Sequence, residues 1–256
     1  MSDAPGTARP TVGANARRLE VGLAAALREF VREPVNLALL VVLPPLVVVS
    51  YGSIMSSFPR LPYMSGSPET LGAVAGTLFV AGFLPGVIGL FQVISARNAD
   101  ARLSLAGFPR ATLFGARLLT VLAASLLTAG VSLAALATRT DVASLPAAFG
   151  VLVLVGVLYG LVGMLVGTVL PRELEGSLVL IFLADVDEAL ASGIVRTDAA
   201  FTKLFPLHYP HELFGAAVDG REFATSDAAA AGAYVVVLGV AALAAYATLT
   251  GEGGLR

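Results

Sequence analysis

Residues 147–170 read AAFGVLVLVGVLYGLVGMLVGTVL, an apolar run with no charged side chain. At 1.5 Å per residue a helix of this length matches a hydrocarbon core of roughly 30 Å, and a helix satisfies its own backbone hydrogen bonds in lipid. Four more runs of this kind lie at 34–52, 71–96, 111–137 and 228–250. A sixth begins after Glu175 with GSLVLIFLA and meets Asp185, Asp187 and Glu188 before completing a crossing. With 57% hydrophobic and 13% charged residues, the chain departs from soluble composition, and its charges fall between the apolar runs. The expected fold is all-α and polytopic, with six transmembrane helices in a domain spanning 34–250 and a cytoplasmic tail at 251–256.

Outside these runs, ARRLEVGLAAALREFVRE places Leu19, Leu23, Leu27 and Phe30 on one stripe, flanked by Arg17, Arg18, Arg28 and Arg32. This pattern predicts an amphipathic helix within a cytoplasmic segment 1–33, lying on the inner leaflet. Residues 1–20 lack the apolar core of a secretory signal, so the N-terminus is expected to be retained. Segment 192–227 mixes apolar pieces with Pro206, Pro210 and charges, and reads as short interfacial helices on the outer side. Placing the N-terminus inside puts eleven of the 16 Lys and Arg residues in the cytoplasm. Six crossings return the C-terminus there, giving a multi-pass protein of the plasma membrane.

Several chemistries are disfavoured. The absence of cysteine removes disulfides and thiolate metal sites, and a net charge of −2 argues against nucleic acid. No Gly-rich phosphate loop ends in Lys, since the single lysine, Lys203, follows Thr202. His208, His211 and Glu212 in HYPHE lack the His-Glu-x-x-His order, and Pro210 is expected to interrupt a helix there, leaving an interfacial turn with polar tips rather than a metal site.

The segment between the second and third spans, SARNADARLSLAGFPRATLFGARLLT, carries Arg97, Asp100 and Arg102, then Leu103, Leu105, Phe108, Pro109 and Arg110. A short helix there offers an apolar face to a partner while its charges fix orientation; an ordinary basic loop is the plain alternative. Here the chain resembles the membrane subunits of ATP-binding-cassette exporters of the type 2 permease family, whose loop reads Leu-x-x-x-small-small-Pro-x-Arg. Leu103, Ala106, Gly107, Pro109 and Arg110 carry the likeness, while Asn98, Ala99, Asp100 and Ala101 replace the family's Glu-Arg-x-Gly lead-in. The likeness extends to the N-terminal amphipathic helix, the prolyl pair of the first span, PRELEG before the fifth and the Pro-rich segment before the last.

The resemblance implies a coupling helix over 100–110 docking into an ATP-binding subunit, with Glu173 and Glu175 beside it and a second permease copy or paralogue completing the pathway. ATP and magnesium then belong to the partner, and this chain is not itself an enzyme. Candidate pathway residues are Gln92, Arg117, Asp185, Asp187 and Glu188. Asp185 lies about 14 Å up from Gly176, and Arg117 about 10 Å beyond Arg110. Arg117 is expected to snorkel or to pair with Asp185. Pro44 and Pro45 predict a kink, structural or pathway-lining. Gly156, Gly160, Gly163 and Gly167 predict close helix packing, within the subunit or across a dimer. Two other readings are an ion-coupled secondary transporter using the carboxylates of the fifth span, and a membrane-embedded metal hydrolase built on those carboxylates and the two histidines.

Overall fold

A computed structural model describes residues 34–60, 66–192 and 200–252. The predicted amphipathic helix falls in 1–33, outside the described residues. The elements in chain order are α1 (Pro34–Ser56), α2 (Pro68–Leu105), α3 (Arg110–Ala137), α4 (Leu145–Val169), α5 (Glu173–Ala191), a 3-10 turn (Ala200–Leu204), α6 (His208–Asp219) and α7 (Thr225–Glu252). Five of these helices, α1 to α4 and α7, are long and apolar enough to cross a membrane. With 19 residues α5 has nearly the length, but its charges at both ends set it apart.

Helix α2 is the axis of the bundle. It is 38 residues long, about 57 Å at the α-helical rise, so it overruns any hydrocarbon core. Its start is fixed by Ser67, whose Oγ accepts from the Thr70 amide at 3.1 Å, with Pro68 opening the first turn. Its end is a Schellman cap: the Phe108 amide donates to Leu103 O at 3.0 Å and the Gly107 amide to Ser104 O at 3.1 Å. Gly107 sits at φ 90°, where a Cβ is disfavoured. The expected separate short helix is thus the tail of α2 itself, because nothing between Ala96 and Leu105 breaks the helix before the glycine does.

The glycines of α4 find their partner inside the subunit. A Cβ on Gly163 would run into the Gly86 carbonyl oxygen of α2, and one on Gly89 of α2 into Gly160 O. On another face, a Cβ on Gly160 would overlap Val121 of α3, and one on Gly156 would lie 2.6 Å from Ser125 Oγ. Small residues let backbones meet in lipid where no hydrophobic effect drives helices together. Tyr159, between these glycines, lies against Gly82 and is 1% exposed. On the far side of α2, Gly72 and Gly76 admit Met55 and Tyr51 of α1. Helix α1 runs on through Pro44 and Pro45, which deprive the carbonyls four residues earlier of a donor.

Two ends of the bundle can be told apart. At the α2–α3 corner, Arg97 donates to Thr168 O at 3.2 Å, a cation on the C-terminal turn of α4. Glu173 and Glu175, in the first turn of α5, follow directly and lie at the same end. At the other end the Ala143 and Ser144 amides donate to Val218 O and Ala217 O of α6, at 3.0 and 3.1 Å. Helix α5 leaves the first end and its Asp187 meets Tyr159 of α4, while α7 brings Tyr246 back to Asp100.

Candidate functional site

Asp100 is the most deeply buried carboxylate at the corner, 1% exposed. Arg117 of α3 grips it with two nitrogens, Nε at 3.2 Å and Nη2 at 3.0 Å, and donates through Nη1 to Gln92 Oε1 at 3.1 Å. Tyr246 of α7 donates to Asp100 Oδ2 at 2.5 Å. One carboxylate therefore joins α2, α3 and α7, and its charge is balanced by a forked guanidinium suited to it. Neither sequence expectation for Arg117 describes this arrangement. It pairs with Asp100 because the antiparallel α2–α3 hairpin brings the two onto facing turns, while Asp185 lies toward the other end.

Beyond this anchor the corner projects outward. Leu103, Leu105 and Phe108 are 38%, 74% and 39% exposed, and Arg102, Pro109 and Arg110 are exposed with them. Arg110 Nε donates to Ser104 Oγ at 3.2 Å, tying the first residue of α3 to the last turn of α2. Glu175 accepts from Arg172 at 2.9 Å, and Glu173 is exposed beside it. An apolar tip held rigidly by a buried polar clamp and ringed by charge is suited to docking.

The carboxylates of α5 separate. Asp185 is exposed and accepts from Tyr51 of α1 at 3.1 Å. Asp187 and Glu188 instead face the interior, 0% and 3% exposed. Asp187 accepts from Tyr159 at 2.5 Å and from the Leu207 amide at 3.0 Å, so it fixes the chain entering α6 against α4. Glu188 lies 3.5 Å from Nδ1 of His211, a separation long for a hydrogen bond. Of the five candidate pathway residues, only Asp185 is open to the surroundings; Gln92 and Arg117 belong to the Asp100 clamp.

The HYPHE motif is helix rather than turn. Pro210 sits in the first turn of α6, where the missing N–H has no intrahelical acceptor to serve, so it starts the helix instead of interrupting it. His211 then points inward with 18% of its side chain exposed. Burial works against its protonation, but the negative charges of Glu188, Glu212 and Asp187 together hold the imidazole above its ordinary range. Among the described residues no three His, Asp or Glu side chains converge as a set of metal ligands.

Tyr51, Tyr159 and Tyr246 were not singled out by the sequence as functional partners. The available signal was a hydroxyl inside each apolar run, which in lipid needs an acceptor. Comparison with known proteins finds no family model that matches the chain and no curated relative.

Proposed function

We propose that this chain is the membrane subunit of an ATP-binding-cassette exporter of the type 2 permease kind, working as a dimer with separate ATPase subunits. It crosses the plasma membrane six times with both termini in the cytoplasm, the sixth crossing being α5. The return of α7 to the Asp100 end supports that count, since Pro34 of α1 starts at the same end. The basic residues Arg97, Arg102, Arg110, Arg117 and Arg172 gather there, as a cytoplasmic face requires.

The observation that carries the proposal is the α2–α3 corner, an exposed Leu103, Leu105 and Phe108 tip on a buried Asp100 clamp. Closure of the ATPases on ATP pushes this corner, and the clamp passes the displacement to α3 and α7, switching a pathway between two permease copies from inward to outward access. ATP and magnesium stay on the partner. Tagged chain purified from its native membrane should carry an ATP-binding-cassette ATPase in stoichiometric amount. Leu105→Ser with Phe108→Ser should lose it while remaining inserted, whereas an undiminished ATPase, or none with the unmodified chain, would sink the assignment. An ion-coupled transporter is the reading that the buried α5 carboxylates favour; it predicts transport that follows an ion gradient and ignores ATP.

A further inference from the structure

Glu188 is an expensive residue. It is 3% exposed, and among the described residues neither carboxylate oxygen has a hydrogen-bond partner; the same holds for Nδ1 of His211 facing it. The two come from different helices, α5 and α6, and meet at 3.5 Å. An ionised carboxylate without hydrogen bonds in an apolar setting costs several kcal/mol, which a facing cation or its own protonation removes. The packed arrangement therefore calls for one proton more than a bare carboxylate and a neutral imidazole hold.

The surroundings supply no substitute. On α5 the neighbouring Asp187 is served by Tyr159 of α4 and by the Leu207 amide, and Asp185 by Tyr51 of α1. On α6, Glu212 adds negative charge from the exposed face and favours the imidazolium. His208 and Tyr209 meet edge to face, Tyr209 lies 6.1 Å from Tyr234 of α7, and Tyr234 donates to the backbone of Lys203 in the 3-10 turn. Lys203 itself is exposed.

We propose that Glu188 and His211 form a buried one-proton site, and that the bound proton holds α6 against α5. Loss of the proton leaves a lone carboxylate, whose cheapest relief is water, and water enters by lifting α6. The rest of the α6 attachment is apolar packing through Leu213 and Phe214, the two backbone bonds from the Ala143 and Ser144 amides, and the Asp187 bond to the Leu207 amide at its start. The sign follows from the raised imidazole: docking is complete at pH values below an ordinary histidine and is lost as pH rises through the titration of the pair. The site does not rest on the exporter reading, since it concerns the end of the bundle away from the α2–α3 corner.

The chain has two histidines, so histidine-selective isotope labelling of the intact protein in lipid nanodiscs gives two imidazole signals, and His208→Gln assigns them. His211 should titrate above the ordinary imidazole value of about 6.5. Over the same pH interval, hydrogen-exchange protection factors for 208–219 should fall by about tenfold per unit of that displacement, while those of α3 stay level. Glu188→Gln should bring His211 back down and leave α6 protection independent of pH; if that variant fails to insert, the unmodified chain decides alone. A His211 that titrates at the ordinary value, or α6 protection that ignores pH in the unmodified chain, overturns the proposal.

Discussion

Substituting Gly163 by Ala probes the axis of the bundle with a single methyl group. The new Cβ would fall within the contact radius of the Gly86 carbonyl oxygen, where carbon and oxygen normally keep about 3.3 Å or more. A backbone oxygen cannot rotate aside, so α2 and α4 must separate locally, loosening the neighbouring Gly89–Gly160 approach with them. Overpacking of this kind costs about 1–3 kcal/mol, partly offset by about 0.5–1 kcal/mol from the better helix propensity of Ala. The net loss reaches about 2.5 kcal/mol where the backbone oxygen cannot yield, which lowers the Tm of a chain of this size by up to about 10 °C. Gly150→Ala on the same helix meets nothing within 4 Å and should leave Tm unchanged or slightly raised. Thermal unfolding in detergent, followed by helical circular dichroism, compares the two. Equal Tm values for Gly163→Ala and Gly150→Ala would refute the α2–α4 contact and the packing built on it.

Asp100→Asn should cost about 3 kcal/mol, the low end for a broken buried pair because Arg117 keeps 18% side-chain exposure, and Tyr246→Phe about 1 kcal/mol. Combining Asp100→Asn with Arg117→Gln should cost less than the sum of the single changes, and additive losses in a denaturation cycle would argue against the clamp. Tyr159→Phe should destabilise by about 1–3 kcal/mol by leaving Asp187 with the Leu207 amide alone, measured by the same unfolding assay. Because the chain lacks cysteine, Leu105→Cys and Arg221→Cys can be labelled singly. An impermeant thiol reagent should reach the first from the inside of oriented vesicles and the second from the outside, and labelling of both from one side would break the six-pass topology.

The five apolar helices could be read directly from the sequence, since the length and polarity demanded by a bilayer leave a strong local signal. So could the glycine stripe of α4, although its partner could not. Spacing along 156–167 says that something comes close, and only the three-dimensional arrangement says that it is Gly86 and Gly89 of α2 and Val121 and Ser125 of α3. Polar pairings were the least accessible part. Asp100 and Tyr246 are 146 residues apart and Tyr51 and Asp185 are 134 apart, distances over which periodicity carries no information. Depth along the chain alone therefore left Arg117 to snorkel or to pair with Asp185. Depth was a weak guide because α2 continues as helix beyond the apolar run and brings Asp100 into reach first. Pro210 misled for a local reason: a proline ends a helix when it falls inside it but begins one when it falls in the first turn.

The distribution of tight and loose contacts constrains where the molecule can move. Helices α2, α3 and α4 are locked backbone to backbone or backbone to side chain at Gly86, Gly89, Gly156, Gly160 and Gly163, so shearing any one of them past the others by a fraction of an ångström meets a repulsive wall. Helix α7 lacks such locks; its Gly232 meets nothing within 4 Å and its Gly239 only touches Leu161 at 3.9 Å. What fixes α7 is apolar packing of Leu238, Ala242 and Tyr246 against α3 and α4, joined by two polar contacts, Tyr246 on Asp100 and Tyr234 on Lys203 O at 2.9 Å. Helix α5 is held by Tyr51, Tyr159 and Leu90, the last being a flexible side chain against Gly176. A rigid α2–α3–α4 body follows, with α5 and α7 tied to it through tyrosine–aspartate contacts and α6 through backbone bonds and apolar packing. Any displacement delivered at the α2–α3 corner is carried through that body nearly undiminished, and its relative motion must appear at the tyrosine–aspartate contacts, where a bond of about 1 kcal/mol can be exchanged for water.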